Sequence, residues 1–173
     1  RPDAGAVDCL GAHSEGSGWT AAGLRELGVA HIPEDRRRSG IVGAMTLSRN
    51  YFLRHMVGAA FVRLGLLREA QLHATVAARL SEFQVKSTGP SDLMERLSGG
   101  NQQKVVLARE MDGDPRIILA AHPSRGLDIK TIRFVHRLLT QARDGGRTVV
   151  LLSSDLDEIM QLADRIVVFA SGR

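Results

Sequence analysis

The stretch Leu97-Ser98-Gly99-Gly100-Asn101-Gln102-Gln103-Lys104 has the residue types and spacing to do chemistry on a phosphate. Two adjacent glycines let a backbone come close to a ligand, and Ser98 adds a hydroxyl. A helical pattern follows from Gln102 to Glu110. The unpaired N–H groups of its first turn, and the positive end of its dipole, would face whatever sits at the loop. The same residues also make an ordinary Ser/Gly turn in which Ser98 or Asn101 caps a helix. Context favours the phosphate reading. About fifteen residues after the loop comes a strand-length apolar run, Arg116 to Ala121, and then Pro123-Ser124-Arg125-Gly126-Leu127-Asp128, the kind of neighbourhood a motif needs.

The other groups are less specific. Of the lysines, Lys86, Lys104 and Lys130, none follows a glycine, so the sequence contains no Gly-x-x-x-x-Gly-Lys-Ser/Thr loop. His122 ends the apolar run and has the ordinary pKa of a general base, but with no acidic neighbour it reads as a polar rim residue. His13, His31, His55, His73 and His136 show no ligand spacing with one another or with Cys9, and no metal site is predicted. Asp128 reads as a helix cap before Ile129. Ser154-Asp155-Leu156-Asp157 reads as a capping box. Glu34 reads as a solvated acid paired with the arginines beside it.

Composition narrows the class. The chain has 173 residues, one domain's length, with 43% hydrophobic and 24% charged residues, which excludes disorder and fibrous repeats. Twenty-three basic against 19 acidic residues give +4. The arginines are scattered, the run Arg36-Arg37-Arg38 follows Glu34-Asp35, and seven aromatic residues are few for stacking on bases, so no nucleic-acid partner is predicted. The lone Cys9 excludes an internal disulfide and fits a reducing compartment. The start, Arg1-Pro2-Asp3-Ala4-Gly5, has no apolar segment of the signal-peptide kind, and the missing initiator methionine suggests a fragment.

The elements that must position these residues follow from periodicity. Strands are predicted at Ala6–Leu10 and Val29–Ile32, with a Gly/Ser loop through Gly18 and a Thr20-capped helix between them. Gly40 to Leu67 is predicted as helical without clear bounds. A helix from Arg68 to Val85 places Leu72, Val76, Leu80 and Phe83 on one face. Arg116–Ala121 and Thr148–Leu152 are predicted as strands buried on both faces, and Arg165–Phe169 as a third. A helix over Thr131–Arg143, with Ile132, Val135, Leu139 and Ala142 on one face, connects the first two, and Asp155–Leu162 is a short helix. Strand, helix, strand, helix, strand predicts an α/β fold with a parallel sheet and crossover helices.

The whole pattern resembles the nucleotide-binding domain of ABC transporters, a P-loop NTPase-like fold. Ser98-Gly99-Gly100, within Leu97 to Gln102, resembles the ATP-binding signature loop. Ile117–His122 resembles the Walker B strand, Gly126-Leu127-Asp128 the D-loop, and Ser153-Ser154-Asp155 the switch region. Pro33-Glu34-Asp35-Arg36-Arg37 and Ser124-Arg125-Gly126 are similar to the second ATPase half of importers for simple sugars and nucleosides. The resemblance implies a single partial cassette over residues 1–173, with 41–95 as its helical subdomain and a permease-binding groove between the Arg68–Val85 helix and Tyr51-Phe52-Leu53. It also implies that the chain begins past the Walker A element.

The departures from the family pattern are chemical. Ala121 and His122 stand where the resemblance puts a magnesium-holding aspartate and a water-polarising glutamate. Ser154 stands at the switch histidine, and Glu34 at the Q-loop glutamine. An alanine methyl cannot ligate a hard cation. The expectation is a half-site that does not hydrolyse ATP itself but lends its signature loop to ATP and magnesium held by a Walker A-bearing partner half. Asp128 would then also reach across such a pair. The partners implied are that half, membrane permeases and, indirectly, a solute-binding protein, at the inner face of the plasma membrane. The alternatives are an ABC-like protein acting on DNA and a non-functional gene fragment.

Overall fold

The computed structural model describes residues 6–15, 19–55 and 61–169. The first of these form a hairpin, β1 (Ala6–Cys9) and β2 (Ala12–Glu15), paired antiparallel. The second strand replaces part of the predicted Gly/Ser loop; the end of that loop, like the first five residues, lies outside the described residues. Helix α1 (Ala21–Glu26) starts as expected at Thr20, whose hydroxyl accepts the Gly23 N–H at 3.0 Å.

The site rests on a three-stranded parallel sheet: β3 (Val29–Ile32), β6 (Ile117–Ala121) and β7 (Thr148–Leu152), in that order. Ile32 pairs with Ala120, and Ala121 with Leu152, so all three strands end at one edge. Helix α4 (Gly99–Glu110) and helix α5 (Ile129–Asp144) cover one face. Leu107 and Ala108 from the first, and Val135, Leu139 and Ala142 from the second, pack with Ile118 and Ala120 in one core.

A second core lies between α2 (Leu47–Phe52), α3 (Glu69–Glu82) and α4. Three residues of the predicted apolar face of α3 are there, Leu72, Val76 and Leu80, joining Leu47, Tyr51 and Met94, whereas Phe83 follows the end of the helix and packs in the sheet core. The expected groove between α3 and Tyr51 is therefore filled, since Tyr51 is 1% exposed and stacks on His55. Much of the segment Gly40–Leu67 is not helical. Apart from α2 it holds a π-type turn ending at Gly40 and a hairpin, β4 (Val62–Arg63) with β5 (Leu66–Leu67).

Two strand expectations fail for one reason: an extended segment becomes a buried strand only when neighbours take up its polar groups and cover its faces. Strand β7 is not buried on both faces; it is the sheet's outer strand among the described residues, and Val150 and Leu152 are exposed. Residues 165–169 form no strand, and Ile166 to Phe169 are exposed. No described helix is long and apolar enough to cross a membrane.

Candidate functional site

The loop Leu97–Gln102 divides by direction. Leu97 and Gln102 face inward, at 7% and 4% exposure, and the Gln102 amide donates to the Met94 carbonyl at 3.2 Å. Ser98 is exposed and precedes the first residue of α4. It is not a side-chain cap. Its hydroxyl oxygen accepts from the Asn101 amide at 3.0 Å, while Asn101 Oδ1 accepts the Lys86 N–H at 2.9 Å. The first-turn N–H groups of α4, which begins directly after Ser98, have no helical carbonyl to pair with.

Both glycines are pressed by side chains. A Cβ at Gly99 would collide with the Arg36 guanidinium, and one at Gly100 would stand 2.6 Å from Thr131 Oγ1 and 3.1 Å from Asp128 Oδ2. Asp128 is the N-cap of α5, as predicted: its carboxylate accepts the Thr131 N–H at 3.0 Å and the Thr131 hydroxyl at 2.8 Å. Those two bonds, the hydroxyl's first, hold the Asp128 carboxyl below its ordinary range. Gly126, exposed at φ 67, makes the turn before it, and Leu127 packs against the sheet core.

Glu34, at the end of β3, pairs with Arg125 rather than with the arginines beside it in sequence. Arg36 Nη1 donates to the Arg125 carbonyl at 3.4 Å, and its Nε is buried without a partner. Burial pulls the Arg36 guanidinium below its ordinary value, and Arg37 adds to this. Glu34, Arg36, Gly99 and Arg125 thus come together from segments far apart in the sequence.

At the end of β6, Ala121 is half-buried, and His122 adopts φ 44 while its N–H donates to the Leu152 carbonyl at 2.7 Å. Ser154 is exposed after β7. It does not cap helix α6 (Leu156–Leu162); Asp155 does, accepting the Glu158 N–H at 3.1 Å. The predicted box is not formed: the Asp155 N–H donates to the Ser153 hydroxyl at 3.1 Å instead of to an acid in the first turn. Sequence reasoning missed Glu158 altogether, a 3%-exposed acid bonded to Ser124 and His136. Its one signal is a first-turn acid on a short helix, which capping alone would explain.

No family model matches the chain. Individual proteins do. The guanosine import ATP-binding protein NupO of Bacillus subtilis is 39% identical over 150 residues, covering 87% of this chain and 29% of that protein. The ribose import ATP-binding protein RbsA 2 of Streptomyces avermitilis is 39% identical over 174 residues, covering all of this chain and 34% of that protein. Among solved structures, the dimeric post-hydrolysis state of the ATP-binding cassette MJ0796 bound to ADP and Pi matches with TM-score 0.64 and 21% identity, over 86% of this chain and 62% of that one. The chain belongs to the ABC ATP-binding cassettes. It spans about a third of the length of these curated relatives.

An ABC cassette has to meet two ligands, a phosphate chain and a magnesium ion, and the residues here fit them unequally. Ser98 and the first turn of α4 suit a phosphate: an exposed hydroxyl precedes a helix start, with its unpaired N–H groups and the positive end of its dipole. Arg36 adds positive charge at the same point. The end of β6 does not suit magnesium, because Ala121 and His122 offer no carboxylate oxygen. Lys104 is also committed elsewhere: its ammonium donates to the Gln84 carbonyl at 3.0 Å and lies over the Phe134 ring.

Proposed function

We propose that this cassette segment is part of the ATP-binding subunit of an importer for nucleosides or simple sugars. In this reading it lends Ser98-Gly99-Gly100 to ATP and magnesium held by a partner half, while its own half-site does not hydrolyse ATP. The observation that carries the reading is a contrast between two parts of the chain. The loop at the start of α4 is braced on two sides, by Arg36 and by Thr131 with Asp128, whereas the end of β6 carries Ala121 and His122. Phosphoryl transfer depends on positioning and charge neutralisation, so a strand end without carboxylates removes the hydrolytic step but leaves the loop able to close over a phosphate. The import names of NupO and RbsA 2 support the transport class.

The remaining parts of the proposal follow the family. Asp128 faces the same side as Gly100 and would meet the partner half. Residues 41–95 would serve as the helical subdomain that meets a permease at the inner face of the plasma membrane. The test is Ser98→Arg in the full-length subunit assembled with its permease. Loss of most ATP turnover is expected, because the long side chain fills the space a γ-phosphate would need; unchanged turnover would refute the proposal.

A further inference from the structure

Outside the signature loop, Glu158 is a buried acid held by side chains of two other elements. It is 3% exposed, and its Oε1 accepts both the Ser124 hydroxyl at 2.5 Å and the His136 Nε2–H at 3.0 Å. Its Oε2 is buried without a partner. A buried carboxylate is unfavourable unless donors satisfy it, and these two bonds are its side-chain hydrogen bonds. The His136 imidazole is itself only 13% exposed, which keeps water from replacing it.

The three residues belong to three elements. Glu158 is in the first turn of α6, the helix that follows β7 and Ser153-Ser154; His136 is in the middle of α5; and Ser124 is in the turn after β6. That turn is short and bonded to itself: the Arg125 N–H donates to the His122 carbonyl at 3.1 Å and the Leu127 N–H to the Ser124 carbonyl at 3.3 Å. It leads directly to Asp128, which holds Thr131, against which Gly100 is packed.

We propose that Glu158 is a positioning residue: through Ser124 it fixes the turn 123–128, and through Asp128 and Thr131 it fixes the seat of the signature loop, so that α6 and the loop move together. The step to ATP rests on the function proposed above; the coupling between Glu158 and the turn does not.

The test uses the full-length subunit with its permease and the variants S124A, E158M and the double variant. Glu158→Met keeps the volume and removes the acceptor. Two quantities are read: hydrogen exchange of residues 123–128, without nucleotide, and ATP turnover. Each single variant is expected to raise exchange in 123–128 roughly tenfold while leaving α3 unchanged, the mark of local rather than global opening. Turnover should fall about three- to thirtyfold at unchanged KM, the range carried by such couplings. The double variant should be no worse than E158M, and S124T, which keeps the hydroxyl, should behave as the wild type. Unchanged exchange at 123–128, an equal rise in α3, or additive effects would overturn the proposal. If Ser98→Arg leaves turnover unchanged, the ATP reading falls, and exchange alone decides whether Glu158 holds the turn.

Discussion

Gly100 and Thr131 are packed so closely that a single methyl at position 100 would stand 2.6 Å from the threonine hydroxyl oxygen. The contact joins the first turn of α4 to the first turn of α5, and it distinguishes the two glycines of the loop. The obstacle at Gly99 is the far end of a flexible arginine, whereas the obstacle at Gly100 is a β-branched side chain tied to Asp128 on a helix. Gly100→Ala is therefore expected to destabilise the full-length protein by roughly 1–3 kcal/mol, and Gly99→Ala by less than about 1. Urea midpoints of the two variants check the order, and Thr131→Ala should relieve the first.

The ion cluster at the end of α4 gives a larger effect. Arg54 Nη1 lies 2.5 Å from Glu110 Oε2, and Arg109 Nε donates to Glu110 Oε1 at 2.8 Å; all three side chains are at most 10% exposed. Removing the one acid leaves two buried guanidinium groups without a counter-charge. Glu110→Ala should cost roughly 3–5 kcal/mol, and replacing Glu110 and Arg54 together by leucine and methionine should cost less than the single change. Denaturant unfolding of the three proteins decides it.

Acid titration should report on Asp112. Burial pushes its carboxyl up, but contacts from His55, Tyr51 and Arg79 outweigh burial and hold it well below the ordinary carboxylate range. A depressed folded value means that the stabilisation is fully present above the unfolded value of about 3.9 and is lost as pH falls from there toward the folded one. The wild-type urea midpoint should drop below about pH 4, and Asp112→Asn should flatten that drop. Equal acid slopes would show that Asp112 contributes nothing.

The parallel sheet was legible because long apolar periods leave few alternatives: β3, β6, α3 and α5 lie where their spacing puts them. The hairpins were not. Both turn on a Leu-Gly pair with both residues at positive φ, Leu10-Gly11 at 52 and 82 and Leu64-Gly65 at 51 and 77. Such a turn is ordinarily signalled by Asn-Gly or Asp-Gly, and a leucine there reads as core or helix. Residues 165–169 had a strand's composition, but a strand needs a neighbour, which composition does not display. In the site, the loop Ser98-Gly99-Gly100 and the Asp128 cap could be read from spacing. The Arg36 brace, the Glu34–Arg125 pair and the Glu158 contacts span 22 to 91 residues of chain and are products of the fold.

The position of β7, the outer strand of the sheet among the described residues, has a practical corollary. Val150 and Leu152 are uncovered on the sheet, and Val167, Val168 and Phe169 are more than 70% exposed in the segment that follows. Unpaired strand edges bearing large apolar residues recruit other copies of themselves. Produced as this stretch alone, the polypeptide should enter inclusion bodies or scatter light at micromolar concentration, and replacing Val150 and Leu152 with lysine should raise its solubility more than a change of buffer.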